Sequence, residues 1–214
     1  MFPLAFIHKD IAMQVDSPPI ELGQTLKGTD ADGNLINKDK EGLMYFFPDK
    51  ISTQITRRTN RGKYCMLMRN VSTIALQGKR LAHRKVSGLD YFGRIDGYSR
   101  LLAESACLGV IDDQLPSAGC AVNDLCWVIV KGPAIVLTDN ASTGFSGDIA
   151  AGAKLVAATA AASTTSVAGR VSNVTLVGQT GTTEAFNFAT NLVGTALSAR
   201  TTGETSADLL IEVQ

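Results

Sequence analysis

The sequence predicts an all-β protein, a β-sandwich or β-barrel of short antiparallel strands preceded by an extended N-terminal arm. Three observations predict it. From residue 45 onward, segments rich in β-branched and aromatic residues alternate with Gly, Asn, Asp and Pro turns. One segment, GCAVNDLCWVIVKGPAIVLT at 119–138, is apolar on both faces of a two-residue alternation, the pattern of a strand covered on both sides. The first forty or so residues lack a sustained period and carry Pro18-Pro19.

Taken in order, residues 1–44 form the arm, with Asp32-Gly33 placing a hairpin turn inside it. Fully extended, such an arm would reach up to ~130 Å, enough to touch a neighbouring subunit. Tyr64–Met68 and Val71–Leu76 read as strands, and Gly88, Gly93 and Gly97 as turns flanking short strands. SRLLAESACLGVIDD permits a short helix, but a strand over Cys107–Ile111, running into an Asp112-Asp113 turn, is the favoured reading. Leu125, Trp127 and Ile129 then point one way and Cys126, Val128 and Val130 the other. Gly132 and Pro133 force a corner, because proline cannot donate to a central ladder, and Ala134–Leu137 resumes the sheet. Trp127 is the expected structural anchor, buried between layers. Short strands follow at Lys154–Ala158, Gly169–Leu176, Leu192–Ser198 and Asp208–Val213, while AATAAASTT is either a surface loop or a tightly packed contact. Residues 45–214 therefore read as one β-rich domain, open to division into a basic part at 45–100 and a barrel-like part at 101–214.

With 214 residues, 45% of them hydrophobic and 19% charged, the chain can bury a sizeable core, which excludes disorder throughout. No apolar run approaches the ~20 residues of a membrane span, and MFPLAFIHKD has too short an apolar stretch for a secretory signal. The expectation is a protein made in the cytosol with no membrane partner. Cys65, Cys107, Cys120 and Cys126 then read as reduced thiols. If the chain between Cys120 and Cys126 is extended, their Cα atoms lie ~20 Å apart against a disulfide limit of ~7 Å; only a sharp turn would bring them together.

Net charge is zero but segregated. Residues 1–49 hold four Lys/Arg and eight Asp/Glu, residues 50–100 twelve and two, and residues 101–214 four and ten. A basic middle third between acidic flanks offers opposite charge to different neighbours, which suits packing among like subunits. The candidate interaction residues are Arg57, Arg58, Arg61, Lys63, Arg84 and Lys85, with Lys79 and Arg80 beside them and Tyr64 and Tyr91 as nearby aromatics. Docking onto an acidic protein surface is favoured over nucleic-acid binding, since the overall basic excess of a nucleic-acid binder is missing. A merely solvated basic face is the plain alternative.

Motifs for chemistry are sparse. Two histidines, His8 and His83, and no CxxC leave no metal site and no cofactor to expect. His83, flanked by Arg84 and Lys85, reads as part of a solvated basic loop. GFSGD at 144–148 is not GxSxG, and GQTGTTE has Thr182 where a P-loop needs lysine. The carboxylate pairs Asp90 with Asp96 and Asp112 with Asp113 read as surface turns, and the sequons at Asn70, Asn140 and Asn173 as coincidence. No enzyme is expected.

The order of segments resembles a family of tailed-bacteriophage virion proteins, the head decoration or cement proteins. The resemblance rests on GVIDD at 109–113 running to LPSAG at 115–119, then NDLCWV at 123–128 and KGPA at 131–134, with DIAAG at 148–152, Leu155-Val156 and AGRV at 168–171 downstream. It covers residues 105–175. It implies a non-enzymatic protein that binds the outside of an expanded capsid, often as a trimer, and clamps neighbouring major capsid protein subunits. Localisation on the capsid exterior, after synthesis in the bacterial host cytoplasm, follows from the same resemblance. The alternatives are a tail or neck structural protein, and a nucleic-acid-binding module using residues 50–100.

Overall fold

A computed structural model describes residues 17–48, 62–84, 93–98, 107–138, 148–157, 168–173, 192–201 and 208–214. The architecture is all-β: among the described residues there are ten strands, no α-helix and a single 3-10 turn at Lys38–Lys40. The strands are β1 (Met44–Phe47), β2 (Lys63–Asn70), β3 (Leu81–Arg84), β4 (Arg94–Tyr98), β5 (Cys107–Ile111), β6 (Leu125–Leu137), β7 (Lys154–Ala157), β8 (Val171–Asn173), β9 (Leu192–Ala196) and β10 (Asp208–Val213). Five of them, in the order β2-β4-β3-β5-β6, close into a barrel through the β2–β6 pairing. Pairing in the barrel is antiparallel except between β2 and β4, which run parallel. A second sheet continues from β6 in the order β10-β9-β7-β8, and a parallel bridge between Thr138 and Val171 brings β8 back to the end of β6.

β6 belongs to both sheets. Leu125 to Lys131 pair with β2, and Gly132 to Leu137 pair with β10. The expected corner at Gly132-Pro133 is thus a change of partner inside one continuous strand, with Pro133 opposite Glu212. Gly132 makes it possible: its φ is +104°, and a Cβ there would lie 2.7 Å from the Gly62 carbonyl oxygen.

The alternation read from the sequence is the one the fold uses. Leu125, Trp127 and Ile129 belong to one core cluster, with Cys65 and Leu67 of β2, Ile20 of the N-terminal segment, and Ala134, Leu155, Leu209 and Ile211 of the second sheet. Cys126 and Val128 belong to another, with Met66, Met68, Ala82, Ile95, Tyr98 and Ile111 from the other four barrel strands. Trp127 is fully buried, edge-on to Phe47 at a centroid distance of 5.2 Å, and donates from Nε1 to the Ile20 carbonyl at 3.0 Å. Burying an indole of this size contributes on the order of 3 kcal/mol.

The described part of the arm lies on its own barrel. Leu26 bridges to Leu125 and Gly28 N donates to Asp124 Oδ1, while the hairpin expected at Asp32-Gly33 forms between Thr29 and Leu35. Arg69 on β2, fully buried, fastens this strap: its guanidinium donates to Gly28 O at 2.9 Å, Asn123 O at 2.6 Å, Ile36 O at 2.6 Å and Glu41 Oε1 at 2.5 Å. Gly28 permits the close approach, since a Cβ would meet Asn123 O at 1.7 Å. Residues 1–16 lie outside the described residues.

Two local expectations are corrected. Val71–Leu76 is a series of bends, not a strand, because the buried Asn70 amide donates to Ile74 O, Cys120 O and Ala121 O and accepts from Ser72, curling the chain on itself. His83 is buried in β3, between β4 and β5, and not in a solvated loop. Between Cys120 and Cys126 the chain makes the sharp turn that brings them together: Asp124 N bonds to Ala121 O and Asn123 takes φ +69°, so the two thiols meet. Both are free, and contact with Cys120 together with burial holds Cys126 well above the usual thiol range.

Removing the Arg69 guanidinium takes a charged donor from the Gly28, Asn123 and Ile36 carbonyls and from the Glu41 carboxylate. Arg69→Met is expected to lower stability by about 3 kcal/mol or more, read as the shift in urea midpoint at constant m-value. A loss below about 1 kcal/mol would show that the strap does not depend on it.

Candidate functional site

The described basic residues among those singled out in the sequence have separate partners. Lys63 gives both carboxylate oxygens of buried Asp113 a hydrogen bond at 2.8 Å, and Asp113 also accepts from Ile135 N. Lys79 pairs with Asp208 at 2.6 Å, and Arg80 lies 5.1 Å from the Tyr98 ring centroid while donating to Ala168 O. Arg84 ends β3, half-buried. Arg94 shares Glu41 with Arg69. Arg57, Arg58, Arg61, Lys85 and Tyr91 lie outside the described residues, as do His8, Asp90, GQTGTTE and all of GFSGD except Asp148.

A different use of the charge emerges. The basic middle of the chain joins the acidic flanks of the same molecule: Arg69 and Arg94 hold Glu41 of the strap, and Lys63 and Lys79 hold Asp113 and Asp208 of the C-terminal part. Segregation along the sequence becomes pairing in space.

Asp112 and Asp113, read as a surface turn, are both buried. The strap supplies the reason, because Gly23 N donates to Asp112 Oδ2 at 2.6 Å, and Gln114 N to Oδ1 at 3.0 Å. Burial raises the Asp112 carboxyl from 3.8 to about 6, against those two amide bonds and the nearby Lys63, which pull it down, and with Asp113 adding to the rise. The carboxylates hold backbone rather than face a cleft. A groove of about 220 Å³ lined by Gln77, Gly78, Lys79, Leu115, Pro116 and Ser117 has Lys79 as its one titratable group, and that ammonium is already paired. Among the described residues no cluster of His, Cys, Asp or Glu could hold a metal ion.

Among the exposed side chains are several large apolar ones. Met44 and Phe46 on β1 and Tyr64 on β2 are 54%, 45% and 46% exposed. Phe46 stands directly across from Tyr64, with ring centroids 4.9 Å apart, and Tyr64 directly across from Lys131 of β6. The three form a row across three strands, ending in an exposed ammonium. Sequence reasoning found Tyr64 but missed Phe46, whose position in MYFF carries no mark of which aromatic turns outward; the alternation against buried Phe47 fixes it.

No family model matches this chain, and no curated protein or solved structure is similar to it at a significant level. Among the described residues no helix is long and apolar enough to cross a membrane.

The Asp112 carboxyl makes a pH prediction. Between about pH 4 and 6 the folded state holds a proton that the unfolded state has released, so this group's contribution to stability falls as pH rises through that window. Asp112→Asn abolishes the titration at the expense of one amide bond. The stability of the variant minus that of the wild type is expected to rise by up to about 3 kcal/mol from pH 4 to pH 7, measured by urea unfolding at each pH. A difference independent of pH would remove the assignment.

Proposed function

We propose that this chain is a non-enzymatic virion structural protein that binds the outside of a phage capsid and clamps neighbouring major capsid protein subunits. One observation carries the reading: the strand bearing Trp127 is walled on both faces, and the ionisable groups beside it, Asp112, Asp113, Lys63 and Arg69, are spent on backbone and on one another. Such an arrangement fastens the wall to the strap and to the second sheet at several points, as a role under load requires. The segments that carry the resemblance to decoration proteins, Gly109–Gly119 and Asn123–Ala134, are the ones that build this wall. The homo-oligomer and the capsid-exterior location belong to the same proposal.

Several modest contacts made at once suffice for such a role, because each attachment raises the effective concentration of the next. Binding the assembled shell and not its free subunits stabilises the shell by mass action.

The test is sedimentation of the purified full chain with expanded, DNA-free heads. Saturable co-pelleting, with heads that then withstand a higher temperature before rupture, is expected. Protein left entirely in the supernatant ends this reading. Retention on DNA with an affinity that falls steeply with salt would favour the nucleic-acid alternative instead.

A further inference from the structure

Two surfaces of the chain are exposed, partly apolar and opposite in charge. The first is the row of Met44, Phe46, Tyr64 and Lys131 described above. The Lys131 side chain makes no hydrogen bond or ion pair and is exposed. The second is the hairpin tip of the strap, TDADGNLI at 29–36. Asp30 organises that tip internally, accepting from Asp32 N at 3.0 Å, Asn34 N at 2.8 Å and Asn34 Nδ2 at 3.1 Å. The loop is therefore ordered before any partner arrives. Asp32 is exposed with a carboxylate that accepts no hydrogen bond, and Ile36 on the returning limb is 37% exposed.

We propose that the strap tip of one copy docks on the Met44–Phe46–Tyr64–Lys131 surface of a second copy, setting Asp32 against Lys131 and covering the two aromatic rings. Charge decides between this and a contact of the aromatic surface with itself. A symmetric contact of this surface with itself would bring the Lys131 side chains of both copies together, a like-charge arrangement that disfavours the pairing. Tip on aromatic surface is complementary. The aromatic rings supply apolar anchors and the charge pair supplies steering and register. Because the two patches differ, the contact is heterologous and passes from copy to copy until a ring closes. The proposal deepens the reading of an assembling virion protein by naming the contact between its subunits.

The experiment is size-exclusion chromatography with light scattering on the full chain, at concentrations from about 1 μM to on the order of 100 μM. A mass that is a whole multiple of the 22.6 kDa subunit is expected for the wild type. Asp32→Lys and Lys131→Glu should each weaken association by ~10-fold or more, and the double variant should recover it. Phe46→Ser with Tyr64→Ser should give monomer throughout. All four residues are exposed, and unchanged thermal unfolding of the variants checks that the fold is kept. A wild type that is monomeric at the highest concentration overturns the proposal, as does association that survives both charge reversals or a double variant that stays dissociated. A monomer that still co-sediments with heads would remove this contact and leave the capsid reading standing; an oligomer that never co-sediments would do the reverse.

Discussion

Strand β6 is the constraint on which the rest of the structure depends. Among the described strands it alone pairs in both sheets, with β2 and β5 on one half and β10 on the other, and both of its faces are buried along the first half. A strand in that position has no side chain to spare for solvent, which is why Leu125 to Val130 contain no charged residue and why the switch of partner falls at a glycine with positive φ. The barrel and the second sheet therefore share one core cluster, continuous from Leu125 to Val136, and behave as layers around a common wall.

Around that wall, polar groups act as fasteners. Arg69 gathers the strap and the Asn123 turn; Asp112 and Asp124 hold strap amides; Asp113 ties the start of β2 to the second half of β6. Each of these groups is buried or nearly so, where an unpaired charge would cost several kcal/mol, and each finds its partners in a segment distant along the chain. The fasteners thus specify which segment goes where, while the apolar alternation decides only which way side chains face. The strap recognised in this manner is held largely through its backbone, so that its own side chains at the tip are left free for contact with other molecules.

Much of this was legible in the residues. The period-two alternation of LCWVIV located the doubly covered strand, the Gly132-Pro133 pair located its corner, and Asp208–Val213 was bounded correctly because Ser/Thr-rich sequence precedes it. Val71–Leu76 misled because β-branched composition does not reveal that a neighbouring asparagine amide will claim three carbonyls. The Asp112-Asp113 pair misled for a similar reason: two adjacent carboxylates look like a solvated turn until donors from residues far away in sequence arrive to bury them.

By itself the sequence determined the fold class and the faces of its doubly covered strand, because these depend on local periodicity. Tertiary structure alone decided the destiny of the charges. Whether a lysine or arginine in the basic third meets solvent, a partner or an aspartate of its own chain depends on contacts between segments dozens of residues apart, and no one-dimensional pattern encodes that distance. The same holds for the exposed row of Phe46, Tyr64 and Lys131, which come from three strands and become neighbours only when the barrel closes.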